Sequence, residues 1–144
     1  MTITQSSLLF PCCAMVGITA VVWAKLFGDR LHEMRSRKIS PQAIATSRQS
    51  AKVLQKVNAS DNFSNLFEVP VLFYVLCALA FSAQLVTPLL LAGAWTFVIL
   101  RGLQSLIHCT YNEVMHRFPV YLLSTLILFA MWGVFTVSLL STLK

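Results

Sequence analysis

Four apolar runs, each long enough to cross a bilayer, constrain this chain more than any other feature: Leu8 to Gly28, Phe63 to Gln84, Thr87 to Cys109 and Phe118 to Leu143. A helix needs about 20 residues to traverse the hydrocarbon core. The runs are continuous rather than alternating, which excludes barrel strands. Charges inside them are few. Lys25 lies near the end of the first, where its stem can carry the ammonium to the interface; Glu68 sits in the second, Arg101 in the third, and the fourth has none. With 57% of its 144 residues hydrophobic and only 11% charged, against about 25% in a soluble domain, the chain lacks the polar surface to stand in water. It reads as one all-α membrane domain, residues 1–144, a bundle of four transmembrane helices.

Local signals refine this. A short turn at Val86-Thr87-Pro88 makes the second and third runs an antiparallel hairpin. Proline comes early in three runs, at Pro11, Pro88 and Pro119, where a missing N–H has no intrahelical acceptor to lose. Met1 to Ser7 carries no basic residue, so the first run is expected to be a retained span rather than a cleaved signal.

Charge placement predicts the orientation. Arg30, Arg35, Arg37, Lys38, Arg48, Lys52 and Lys56 crowd the first connection, and Arg117 lies in the third, on the same side after two crossings. The other side has only Lys144. The positive-inside rule puts loops one and three in the cytoplasm and both termini opposite. The net charge of +6 is thus a topology signal with some affinity for anionic lipid, not a nucleic-acid footprint. Within the polar stretch Ser40 to Ser60, Ser40-Pro41 resembles a helix start. Gln42 to Val57 reads equally as a short cytoplasmic helix or a partly ordered loop.

Cys12, Cys13, Cys77 and Cys109 form no CxxC pair and no histidine completes a zinc set; they are expected to be small hydrophobes, with no metal site. Polar residues at membrane depth are more informative, because they are costly there without partners. Asp61, Asn65 and Glu68 follow i, i+4, i+7 on the second helix. Arg101, Gln104 and His108 follow i, i+3, i+7 on the third, with Tyr111 continuing one turn later. Arg117 opens the fourth helix, and Arg35 and Arg37 lie just past the first span. These stripes make either a polar site open to the cytoplasm or a set of interhelical ion pairs, Glu68 pairing with Arg35 or Arg101.

These residues also carry a resemblance. Asn65-Leu66-Phe67-Glu68, within NLFEVPVLFY (65–74), resembles the Asn-x-x-Glu motif in the second helix of the membrane-associated proteins of eicosanoid and glutathione metabolism, the MAPEG family, and looks like its bacterial members. Arg101-x-x-Gln104-x-x-x-His108, followed by Arg117-Phe118-Pro119-Val120-Tyr121, resembles the third-helix stripe and fourth-helix start of that family's microsomal prostaglandin E synthase. Arg35-Ser36-Arg37-Lys38 is similar to the basic end of the first helix.

The resemblance implies a homotrimer with sites between subunits, glutathione as co-substrate, and a lipophilic small-molecule electrophile arriving from the membrane lipids. By position, Arg117 matches the thiolate-stabilising arginine and is the catalytic candidate. The candidate glutathione-binding set is Arg35, Asn65, Glu68, Arg101, Gln104, His108, Tyr111 and Tyr121. The activity implied is a transferase, peroxidase or isomerase. One departure matters: the family's glutathione-holding arginine, seven residues before the glutamate, is Asp61 here. Two like charges about 4 Å apart repel by roughly 4 kcal/mol at an effective dielectric near 20, some three decades of affinity. A non-catalytic membrane subunit or lipid-binding scaffold that kept the bundle is the alternative.

Overall fold

The computed structural model describes residues 4–142; Leu143, the last residue of the fourth run, and Lys144 lie outside them. After a 3-10 turn at Gln5–Leu8 come α1 (Leu9–Ser36), α2 (Ser47–Val53), α3 (Asn58–Asn65), α4 (Val69–Ser82), α5 (Pro88–Cys109) and α6 (Val114–Ser141). Four segments are long and apolar enough to cross a membrane: Gln5–Ser36, Asn58–Ser82, Pro88–Cys109 and Val114–Ser141. At about 1.5 Å per residue, the 28 residues of α1 exceed a hydrocarbon core of about 30 Å. Its last turns, beyond Gly28, therefore project past the apolar slab.

The second span is interrupted, and its sequence explains why. Pro70 has no N–H for the carbonyl four residues back, and its ring crowds that carbonyl while disfavouring helical geometry at Val69. The helix ends at Asn65, the chain turns through Leu66–Glu68, and α4 restarts with Pro70 in its first turn. The third span starts cleanly. Thr87 caps α5 by accepting the Leu90 N–H (3.2 Å), with Pro88 at the first position.

In the first connection, the expected start at Ser40-Pro41 yields only a 3-10 turn, Pro41–Ile44, and Ser40 makes no side-chain cap. The helix proper begins later, where Thr46 and Gln49 form a reciprocal capping box, each satisfying the other's backbone N–H.

Two hydrogen bonds show which ends lie together. The Gln5 side-chain oxygen accepts the Val86 N–H (3.0 Å), joining the N-terminal end to the α4–α5 turn. Asn112 donates to the Asn58 side-chain oxygen (3.1 Å), joining the α5–α6 turn to the start of α3. Loops one and three thus share one end of the bundle, as their charges predict.

Met15, Phe73, Phe97 and Leu128 are fully buried in the apolar part of the core. Phe73 of α4 stacks on Phe97 of α5 with ring centres 4.7 Å apart. Helices α5 and α6 approach closely at Gly93, where a Cβ would come within 2.8 Å of the Met131 side chain. Facing outward are Phe10, Val21, Leu89, Ile99, Met115 and Val137, a surface suited to lipid or another copy, not to water.

Candidate functional site

The third-helix stripe is intact because α5 is unbroken from Pro88 to Cys109. Arg101, Gln104 and His108 all point inward, at 0%, 1% and 2% exposure. Arg101 lies between two rings. Its guanidinium carbon is 5.4 Å from the centre of Phe97, one turn earlier on α5, and 4.9 Å from that of Tyr121 on α6. Such packing favours a cation over the ring face. One nitrogen, Nη1, donates to Gln104 Oε1 at 2.8 Å. Nε and Nη2 are buried without a partner among the described residues, and so is Nδ1 of His108. A desolvated guanidinium with two idle donors is costly, and it is shaped to take a carboxylate through two parallel hydrogen bonds.

Helix α6 supplies the adjoining wall. Arg117 and Tyr121 are four residues apart and share a face. Arg117 is half-buried and donates through Nη1 to the Asn112 side-chain oxygen at 2.7 Å. Asn112 takes a left-handed backbone, φ 49°, which asparagine tolerates better than most residues. Asn58, Asn112 and Arg117 are thus chained together across the end where loops one and three meet.

Other sequence candidates are arranged differently. Tyr111 does not continue the stripe: α5 ends at Cys109, and the Tyr111 ring is exposed, edge-on to His116 at 5.8 Å. The acidic stripe on the second span is also broken by the turn before Pro70. Asp61 is exposed, Asn65 half-buried, and Glu68 exposed within the turn. Among the described residues of the single chain, Glu68 forms no ion pair with Arg35 or Arg101; the pairs present are Lys25–Asp29 and Glu33–Arg37. Arg35 is exposed on the projecting end of α1. Asp61 lines a pocket of about 140 Å³ together with Arg30 and Lys56. The four cysteines are free thiols.

Two polar residues escaped the sequence reading. Asn62 is fully buried; its oxygen accepts from Ser105 and its amide donates to Cys109 Sγ, both at 3.4 Å, linking α3 to α5. Its position one turn after Asn58, on the same face, was the available signal. Glu33, 5% exposed, collects Arg37 Nη1 at 2.5 Å and the backbone N–H groups of Gln55 at 2.7 Å and Lys56 at 3.1 Å. Only the Arg37 contact is local; the other two donors lie more than twenty residues away and left no sequence signal.

Comparison with known proteins supplies one finding. The family model described as "MAPEG family" matches residues 8–137, nearly the whole chain. No curated protein and no solved structure matches.

Proposed function

Because the chain belongs to the MAPEG family, a family of membrane proteins of glutathione and eicosanoid metabolism, we propose that it is a glutathione-dependent enzyme acting on lipophilic electrophiles as a transferase, peroxidase or isomerase. The observation that carries this reading is Arg101, a fully buried guanidinium with two donors idle among the described residues, on the same helix face as the idle imidazole nitrogen of His108. A tripeptide with two carboxylates is a natural complement to such a group. Arg101 holds one carboxylate, with Gln104, His108 and Tyr121 completing the wall; Asn65, Glu68 and Arg35 bind the remainder.

Arg117 is the catalytic residue in this scheme. Only a thiolate is nucleophilic, and a free thiol with a pKa near 8.5 is mostly protonated at neutral pH. A guanidinium beside the sulfur raises the ionised fraction and stabilises it as it attacks. In conjugation the sulfur forms a bond to the electrophilic carbon and the leaving group departs with its electron pair. Asp61 shares its pocket with Arg30, a cation of the chain's own that offsets its charge. That eases the repulsion expected against a bound carboxylate.

Glu68 and Arg35 face outward from a single chain, which supports a homotrimer in which a neighbouring copy closes the site. The test is glutathione conjugation to a generic aromatic electrophile, and reduction of a lipid hydroperoxide, by purified protein. Turnover in either reaction supports the reading. Neither turnover nor glutathione binding overturns it in favour of a non-catalytic, lipid-binding member of the family.

A further inference from the structure

Helices α1 and α5 enclose a second feature, on a different face of α5 from Arg101. An apolar groove of about 500 Å³ runs between Gly17, Ile18 and Val21 on one side and Gly102 and Leu106 on the other. Its size is that of a small-molecule site. The two glycines make the groove, since neither contributes a side chain to fill it. A Cβ at Gly17 would meet nothing within 4 Å, and one at Gly102 only the tip of Ile18 at 3.4 Å.

The groove does not end in apolar surface. Lys25, Cys109 and Thr110 line it and also line an adjoining polar pocket of about 250 Å³, which adds Asp29, Lys56 and Asn58. Apolar trough and polar pocket therefore adjoin, with three lining residues in common. Lys25 marks the end of the apolar stretch of α1, so the junction lies at headgroup depth. The pocket carries two ammonium groups and one carboxylate; Lys25 pairs with Asp29 at 2.9 Å, while Lys56, which also borders the Asp61 pocket, forms no ion pair among the described residues.

From this adjacency of apolar groove and cationic pocket we infer that the α1–α5 groove is a binding site for an anionic glycerophospholipid. One acyl chain lies along Gly17 and Gly102, and the phosphate sits between Lys25 and Lys56, with the Asn58 amide as a further donor. The apolar trough supplies attraction for any acyl chain, and the lysines supply the choice of headgroup. The site is independent of the glutathione reading, because it uses none of the residues assigned to glutathione.

The experiment labels the purified protein in nanodiscs with photoreactive phosphatidylglycerol or phosphatidylcholine bearing identical chains, and maps the adducts by mass spectrometry. Adducts on the α1 and α5 groove residues are expected, stronger for phosphatidylglycerol. Gly17→Phe places a ring in open space without displacing backbone, and should remove groove adducts of both lipids while leaving helicity and assembly unchanged. Lys25→Gln with Lys56→Gln should keep the adducts but reduce the preference for phosphatidylglycerol by roughly tenfold or more. Equal labelling by both lipids in the parent, or groove adducts insensitive to Gly17→Phe, overturns the proposal. So does loss of the assembly with Gly17→Phe in native mass spectrometry, which would make a second copy of the chain the occupant.

Discussion

The guanidinium of Arg101 lies 4.9 Å from the centre of the Tyr121 ring, so a cation on α5 is packed against an aromatic on α6 and, among the described residues, forms no ion pair. The ring offsets part of the cost of burial, but it cannot accept hydrogen bonds from Nε and Nη2 as an oxygen would.

The first prediction follows from that imbalance. Replacing Arg101 with Met removes a buried, partly unsatisfied cation and should leave the ligand-free protein as stable as the parent or up to about 4 kcal/mol more stable. The same change should abolish stabilisation by glutathione. Thermal unfolding in detergent, with and without glutathione, reads both. A large loss of stability in the ligand-free variant would show that Arg101 already has an anionic partner from another copy.

Arg117→Ala should lower turnover by roughly two to three decades, as loss of one donor to a developing anion does, mainly in kcat. Arg117→Lys should recover only part, because a point charge does not reproduce the planar fork. The control is Asn112→Ala, which frees Arg117 from the turn without removing its charge and should cost far less. An active parent with Arg117→Ala unimpaired would leave the enzyme class standing and remove the residue assignment.

Glu33 should govern the order of the first connection. Glu33→Ala leaves the Gln55 and Lys56 N–H groups without their acceptor, at about 0.5–1.5 kcal/mol for each hydrogen bond lost, while Arg37 keeps the Val53 carbonyl. Faster tryptic cleavage at Arg48 and Lys52, with the spans intact, is the expected readout. Unchanged cleavage would mean that the carboxylate does not hold the connection in place.

Orientation is testable with reporters. One inserted near Gln49 should read as cytoplasmic and one fused after Lys144 as non-cytoplasmic, because the first connection carries seven of the eleven Lys and Arg residues and short basic loops stay inside. The reverse pair of readings overturns the assignment.

Native mass spectrometry in mild detergents should give a trimer. One four-helix subunit leaves Glu68 and a broad apolar surface exposed, and a closed ring of copies covers both. Monomers and dimers alone would remove the intersubunit site together with the trimer.

The sequence by itself determined the four spans, the shared end of loops one and three, and the Arg101, Gln104, His108 stripe. Each depends on local periodicity or on the cost of charge in lipid, and an unbroken helix such as α5 carries a 3.6-residue pattern faithfully into space. The same reasoning failed at Glu68 because Pro70, five residues beyond Asn65, ends the helix that the spacing assumed, although Asp61 and Asn65 both lie on α3. It failed again at Tyr111, where α5 stops two residues earlier. Only the tertiary structure decided that Asn62 rather than Asn65 is the buried amide, that Arg101 meets Tyr121 twenty residues away, and that Glu33 reaches Gln55 and Lys56. Those pairings join helices distant in the chain, and their geometry is set by how whole faces pack, which no short window of residues encodes.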